Sequence, residues 1–250
     1  MKKLLLGSLL AFAVPAFIVP AHAADPAIEK SIASPERTAD DRERDAREKP
    51  AEVLAFAGVK PGMVVADVFS AGGYYTELLS GVVGPTGKVL AINNVPYANY
   101  SKDDRKARFT EGRLKNVEPR LIEASWFNMP KVDLAIIVMA YHDTYWIDEK
   151  SGWPEINNDG FIESLKRMIK PGGKLLIIDH NAAPGTGKEA AGKLHRLNED
   201  WAKKSLVAHG FVFEKAYDGL RNPKDQLDKT VFDPAVQGKT DRYVHLYRLK

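Results

Sequence analysis

The sequence predicts an α/β fold, a mostly parallel sheet with helices on both faces. Three observations predict it. Short apolar, β-branched runs alternate with helical segments from residue 50 onward. One run, Val132 to Met139 (VDLAIIVM), is almost continuously apolar, as a strand covered on both faces must be. Two Pro-Gly turns, Lys60-Pro61-Gly62 and Lys170-Pro171-Gly172-Gly173, each lead into such a run.

The elements follow in order. Residues 1–23 read as a signal peptide: Lys2 and Lys3 form a basic start, Leu4 to Pro20 is apolar, and Ala21-His22-Ala23 is a small-x-small cleavage site. Cleavage after Ala23 predicts a periplasmic or secreted protein with no membrane segment left. Residues 24–49 read as a polar, helical extension. Within it, Pro35 to Lys49 alternates in sign at helical spacing, the pattern of an exposed, solvated helix. Residues 50–250 read as the main domain. It begins with an amphipathic helix, Pro50 to Ala57, whose Val53, Leu54 and Phe56 face inward. A first strand, Met63 to Phe69, runs through a small-residue turn, Ser70 to Gly73, into a helix from Tyr74 to Ser80.

The second strand is Val89 to Ile92, ending at Asn93 and Asn94. A polar helix from Ser101 to Lys115 and a third strand from Arg120 to Ala124 come next. Val132 to Met139 is the fourth strand, ending in Ala140-Tyr141-His142-Asp143. A helix from Phe161 to Ile169 precedes the strand Lys174 to Ile178, which ends at Asp179-His180. A helix from Leu194 to His209 stops at Gly210. Phe211 to Ala216 and Arg242 to Arg248 alternate as strands of an antiparallel edge, with Asp218 to Asp241 as a long connection.

Composition narrows the chemistry. The chain has 36 basic and 33 acidic residues, a net charge of +3 that falls to +1 with loss of the signal peptide, so nucleic acid is not an expected partner. No cysteine is present, which excludes disulfides, thiolate nucleophiles and Cys-ligated metals. The sequence sets no oligomeric state. Polar residues gather at the carboxyl ends of the strands: Asp67, Asn93, Asn94, Glu123, Ser125, His142, Asp143, Asp179 and His180. In open parallel sheets that edge is where ligands bind. The stretch VVADVFSAGGYYTELLS adds a strand, a Gly turn and a helix start, which bring backbone N–H groups to one point there.

VVADVFSAGG, the two turns ahead of strands and GPTGKVLAIN resemble the class I S-adenosylmethionine-dependent methyltransferases. More narrowly, GGYYTELLS, AYHD and LHRLNEDWAKKSLVAHGF resemble a group of predicted, exported bacterial methyltransferases. The resemblance implies a Rossmann-like, seven-stranded sheet with the last strand antiparallel. It also implies S-adenosylmethionine as cofactor and a small-molecule acceptor. By position, Ser70, Ala71, Gly72 and Gly73 would face the methionine portion of the cofactor and Asp67 its amino end. Asn93 would meet the ribose, and Ser125 and Trp126 the adenine. The chain from Ala140 to Asp143 would border the transferred methyl. The family places glycine at the second, fourth and sixth positions after the Asp, and here those are Phe69, Ala71 and Gly73. It places an acid where this chain has Asn93.

Methyl transfer needs an aligned acceptor and, for O–H or N–H groups, a base. His142, with Asp143 beside it, is the expected base, since a free imidazole titrates near neutral pH. Tyr141, Asp179, His180, His195 and Arg196 are the expected substrate contacts. Tyr74, Tyr75, Tyr145, Trp146 and Trp153 supply aromatic surface near the mouth. No metal site is assigned, because no pair of histidines has local ligand spacing. Two other readings stand beside this one. One is an exported, non-catalytic ligand-binding protein on the same fold. The other is a metal-dependent hydrolase, which requires an ion on His142 or His180.

Overall fold

The computed structural model describes residues 25–110 and 112–250; the expected signal peptide lies outside the described residues. Seven strands form one sheet: β1 Val64–Val68, β2 Lys88–Asn93, β3 Val117–Leu121, β4 Val132–Val138, β5 Ile169–His180, β6 Phe211–Ala216 and β7 Arg242–Leu249. Their order is β3-β2-β1-β4-β5-β7-β6, and β7 runs antiparallel to both of its neighbours. This is the expected mostly parallel sheet with its last strand reversed.

Helices cover both faces because the central strands are apolar on both. On one face α1 (Pro26–Ile32), α3 (Pro50–Ala57) and α4 (Tyr74–Val83) bury Ile28, Val53, Leu54, Leu78 and Leu79 against Val65, Leu134 and Leu176. On the other, α7 (Asn158–Met168) and α9 (Glu199–Ala208) bury Phe161, Leu165 and Leu206 against Val68, Ala135 and Ile177. Each large apolar side chain so buried stabilises the fold by about 1.5–3 kcal/mol before entropy is charged against it. Among the described residues no helix is long and apolar enough to cross a membrane.

The polar extension begins with α1, capped by Asp25, and Ser31 Oγ donates to the Leu78 carbonyl at 2.7 Å. Gly81 permits that approach, since a Cβ there would lie 2.3 Å from Ser31 Oγ. Several local expectations are corrected. The charge run is not a solvated face. It forms α2 (Ala39–Glu48), capped by Thr38, with Asp41 and Glu48 buried, and Glu48 pairs with Arg242 at 2.5 Å. Instead of one helix over 101–115, there are α5 (Val95–Tyr100) and α6 (Lys102–Arg108), and the Asn94 side chain caps the first. The third strand lies three residues earlier than expected and carries Pro119, which an edge strand tolerates. The helix expected over 194–209 is broken into α8 (Glu189–Leu194) and α9, with His195 in a left-handed conformation (φ 52°) between them.

Candidate functional site

Strand order reverses at the boundary between β1 and β4, and their carboxyl ends open a crevice. A cleft of about 910 Å³ lies there, walled by the turn after β1, the ends of β4 and β5, and residues of α2, α5 and α6. Small-molecule sites are typically ~300–1,000 Å³.

The turn is built around three left-handed residues: Phe69 (φ 56°), Ala71 (φ 46°) and Gly73 (φ 83°). These are the three positions that carry glycine in the resembling family. The backbone demand therefore persists where two of the glycines do not. Phe69 does not fill the cleft with its ring, which stacks in the core between Tyr97 and Phe161 at centroid distances of 4.8 and 5.4 Å. Left-handed L residues cost about 1–3 kcal/mol each, so the surroundings must hold them. Asn93 does so: its Oδ1 accepts from Ala71 N–H and its Nδ2 donates to Ser70 Oγ, both at 2.9 Å. Asn93 is the residue expected at the ribose. Its amide is buried and serves the turn, and it does not border the cleft.

Gly72 and Gly73 line the cleft and let the side chains of Asp104 and Phe109 pack directly onto the turn. A Cβ at Gly72 would lie 2.9 Å from Asp104 Cβ, and one at Gly73 would lie 2.8 Å from Phe109 Cζ. Asp67 borders the cleft at the end of β1, and its Oδ2 accepts from Thr76 Oγ1 at 2.6 Å. Burial pushes its carboxyl up to about 7 and outweighs the Thr76 hydrogen bonds, which act the other way.

The second wall is a cluster of imidazoles and carboxylates. His142 donates its backbone N–H to Asp179 Oδ2 at 2.7 Å, and its Nδ1 lies 2.6 Å from Asp179 Oδ1. Its Nε2 lies 3.1 Å from Asp143 Oδ1. Burial alone would lower the His142 pKa, but Asp143 and Asp179 prevail and raise it to about 10. Both ring nitrogens are engaged, so His142 is not the free, neutral base expected from its residue type. Asp143 also accepts from Tyr97 Oη at 2.5 Å and meets His195 Nδ1 at 3.1 Å. Burial opposes its ionisation, yet His142, His195 and Tyr97 hold it well below the ordinary carboxylate range. His180 borders the cleft, and its Nδ1 lies 2.7 Å from Thr240 Oγ1. Burial and the charge on His142 keep it neutral, well below its ordinary value.

Other residues expected at the substrate (Asp179, Tyr141, Arg196) or at the adenine (Ser125, Trp126) sit as follows. Asp179 is fully buried behind His142 and positions it. Tyr141 is a core residue whose hydroxyl meets Tyr145 Oη at 3.3 Å. Arg196 is fully buried against Asp225 and the carbonyls of Asn181 and Lys229, where it anchors the long connection to β7. Its neighbour His195 turns the other way, into the cleft. Ser125 lines a separate, smaller depression, and its Oγ accepts from Asn157 N–H. Trp126 is exposed, beneath the Arg167 guanidinium. Neither borders the main cleft.

The cleft also holds residues that sequence reasoning missed. Arg108 donates to the Gly72 carbonyl at 2.7 Å, grips Asp41 of α2 through two nitrogens at 2.7 and 3.0 Å, and pairs with Glu77. Arg44 and Arg47 of α2 line the mouth, and Phe232 reaches in from the long connection. One signal was present: Asp41, Asp45 and Glu48 share a helix face at i, i+4 and i+7.

No family model matches the chain. It is 32% identical over 126 residues to the ubiquinone/menaquinone biosynthesis C-methyltransferase UbiE of Shewanella pealeana, a match covering 49% of this chain and 45% of that protein. The chain thus spans about half the length of the curated relatives it matches. Among solved structures, an S-adenosylmethionine-dependent methyltransferase from Aquifex aeolicus superposes with a TM-score of 0.57 at 25% identity, over 84% of this chain and 95% of that one. An arsenic(III) S-adenosylmethionine methyltransferase from Chlamydomonas reinhardtii shares the fold at 16% identity, with a TM-score of 0.52 over 91% of this chain and 74% of that one. Sheet order, the cleft at the strand reversal and these likenesses define a methyltransferase-type α/β domain. The chain is similar to class I S-adenosylmethionine-dependent methyltransferases, in sequence over about half its length and in fold over most of it.

Proposed function

We propose that the chain is an S-adenosylmethionine-dependent methyltransferase acting on a small-molecule acceptor. The turn after β1 carries the reading. It keeps three left-handed residues at the family's glycine positions and opens onto the cleft beside Asp67. The residues fit the cofactor. Gly72 and Gly73 line the cleft without side chains, and Asp67 places a carboxyl where a cationic amino group is to be held. When bound, S-adenosylmethionine supplies a methyl group activated by a sulfonium.

The chain's own residues then act by placement. Asp67 and the turn bind one end of the cleft. His142, Asp143 and His195 border the other end, the acceptor's end. Tyr97, Trp146, Trp153 and Phe232 wall that end and exclude water. Such walls suit a flat, ring-bearing acceptor, and the curated relatives are named for C-methylation in quinone biosynthesis. Export through residues 1–23 belongs to the same proposal and places the processed enzyme outside the cytoplasm.

The test is product formation. Purified protein is incubated with S-adenosylmethionine and small-molecule extracts of the envelope, and S-adenosylhomocysteine is measured by mass spectrometry. Acceptor-dependent release that disappears in Asp67→Ala is expected. Equal release by the variant would refute the role given to this cleft.

A further inference from the structure

We propose that His142, Asp143 and His195 form a binding site for one first-row divalent transition-metal ion of the zinc type, at the acceptor end of the cleft. The observation is spatial. One donor atom from each of the three lies within 4.8 Å of the others. His142 Nε2 and His195 Nδ1 each lie 3.1 Å from the same oxygen, Asp143 Oδ1. Donors that share an ion at ~2.0–2.1 Å sit roughly 2.9–3.4 Å apart, along the edges of an octahedron or a tetrahedron. Two imidazoles and one carboxylate suit zinc or ferrous iron, whereas calcium and magnesium favour oxygen donors throughout.

Outer partners hold the donors in place. The Asp179 carboxylate lies 2.6 Å from His142 Nδ1, on the far side of the ring from the other two donors. A carboxylate behind a ligating histidine is the arrangement that orients such rings. The Tyr97 hydroxyl occupies the second oxygen of Asp143 at 2.5 Å. His195 is held in a left-handed conformation, with its ring against Trp146 and Phe232 at centroid distances of 4.6 and 4.9 Å. Strain of that kind in a residue other than glycine collects at functional sites. All three donors border the cleft, so an ion held by them keeps coordination positions open to solvent or to an acceptor oxygen. The site lies just past the ends of β4 and α8, and its donors are residues other than those of the turn after β1. It does not depend on the methyltransferase reading, and cofactor binding is measured separately.

The experiment is a cobalt(II) titration of the metal-stripped protein, followed by its visible absorption, with zinc(II) as the displacing ion. The expected result is one cobalt per chain, displaced by zinc and abolished in His195→Ala. His209→Ala, on a histidine outside the cluster, retains it. Asp179→Asn weakens it by roughly 10–100-fold. Circular dichroism verifies the fold of each variant. His195, at a loop between two short helices, is the decisive position if Asp143→Ala does not fold. Absence of a stoichiometric cobalt signal, or a signal unchanged in His195→Ala, would overturn the proposal and leave the cluster as hydrogen-bonded side chains alone.

Discussion

Asn93, at the end of β2, holds Ala71 in the neighbouring turn: its Oδ1 accepts the Ala71 N–H at 2.9 Å while its Nδ2 donates to Ser70 Oγ. A position that carries an acid in the family here keeps the cofactor turn in shape. Asn93→Ala leaves the half-buried Ala71 N–H and the buried Ser70 Oγ without this partner, at about 1–3 kcal/mol each. We expect a loss of roughly 2–6 kcal/mol in urea denaturation, together with weaker S-adenosylmethionine binding. Asn93→Asp keeps the acceptor for Ala71 and should cost less on both measures.

Asp67 makes both stability and binding depend on pH. Its carboxyl is raised from an unfolded value of 3.8 to about 7, chiefly by burial. The folded state therefore holds that proton more tightly than the unfolded state does. The contribution is full below the unfolded value and is lost as pH rises through about 7. At higher pH the buried carboxylate costs up to roughly 4 kcal/mol. Asp67→Asn should thus gain stability relative to the parent as pH rises, in paired thermal melts. Affinity for the cationic cofactor should move the other way. It should tighten as Asp67 ionises on passing pH 7, and it should be flat in Asp67→Asn.

Arg196 and Asp225 form an ion pair at 2.8 Å with both side chains fully buried. Removing one partner of such a pair strands the other charge, at about 3–5 kcal/mol. Arg196→Ala should lower stability by that amount. It should also expose the connection to β7 to limited proteolysis, because Arg196 also donates to the Lys229 carbonyl. Arg196→Lys should rescue poorly, since it lacks the fork that spans Asp225.

Arg108 ties two helices to the cofactor turn: it holds α2 through Asp41 and α4 through Glu77 while donating to the Gly72 carbonyl of the turn. Arg108→Ala should speed amide hydrogen exchange across residues 39–48. It should also weaken S-adenosylmethionine binding by about tenfold or more, equivalent to ~1.4 kcal/mol. Unchanged exchange in α2 would contradict the view that this helix is fastened over the cleft.

The sheet was legible in the sequence because its signals are local. VDLAIIVM is apolar but for Asp133, Pro and Gly mark the turn before β1 and the segment Lys170 to Gly173, expected as a turn but found within the first residues of β5, and the polar residues collect at strand ends. The site was legible only in part, because what decides it is distant in sequence. Glu48 reads as one more charge on a solvated helix until Arg242, 194 residues away, is placed against it. His142 reads as a neutral-pH base until Asp179 is seen behind its ring. His195 reads as helical until the chain breaks there and turns it toward Asp143. Phe69 stands where the family has glycine, and only the placing of Tyr97 and Phe161 shows its ring taken into the core. Ser125 and Trp126 were assigned by the family's usual strand-end position, but here β3 is a short edge strand and the chain after it runs outside the cleft.

The account rests on cofactor binding at the turn after β1, and titration calorimetry of the purified protein with S-adenosylmethionine and S-adenosylhomocysteine tests it most directly. It predicts one site per chain with micromolar affinity, about 8 kcal/mol, lost in Asp67→Ala. Absence of binding at millimolar cofactor, or full binding by Asp67→Ala, would contradict it.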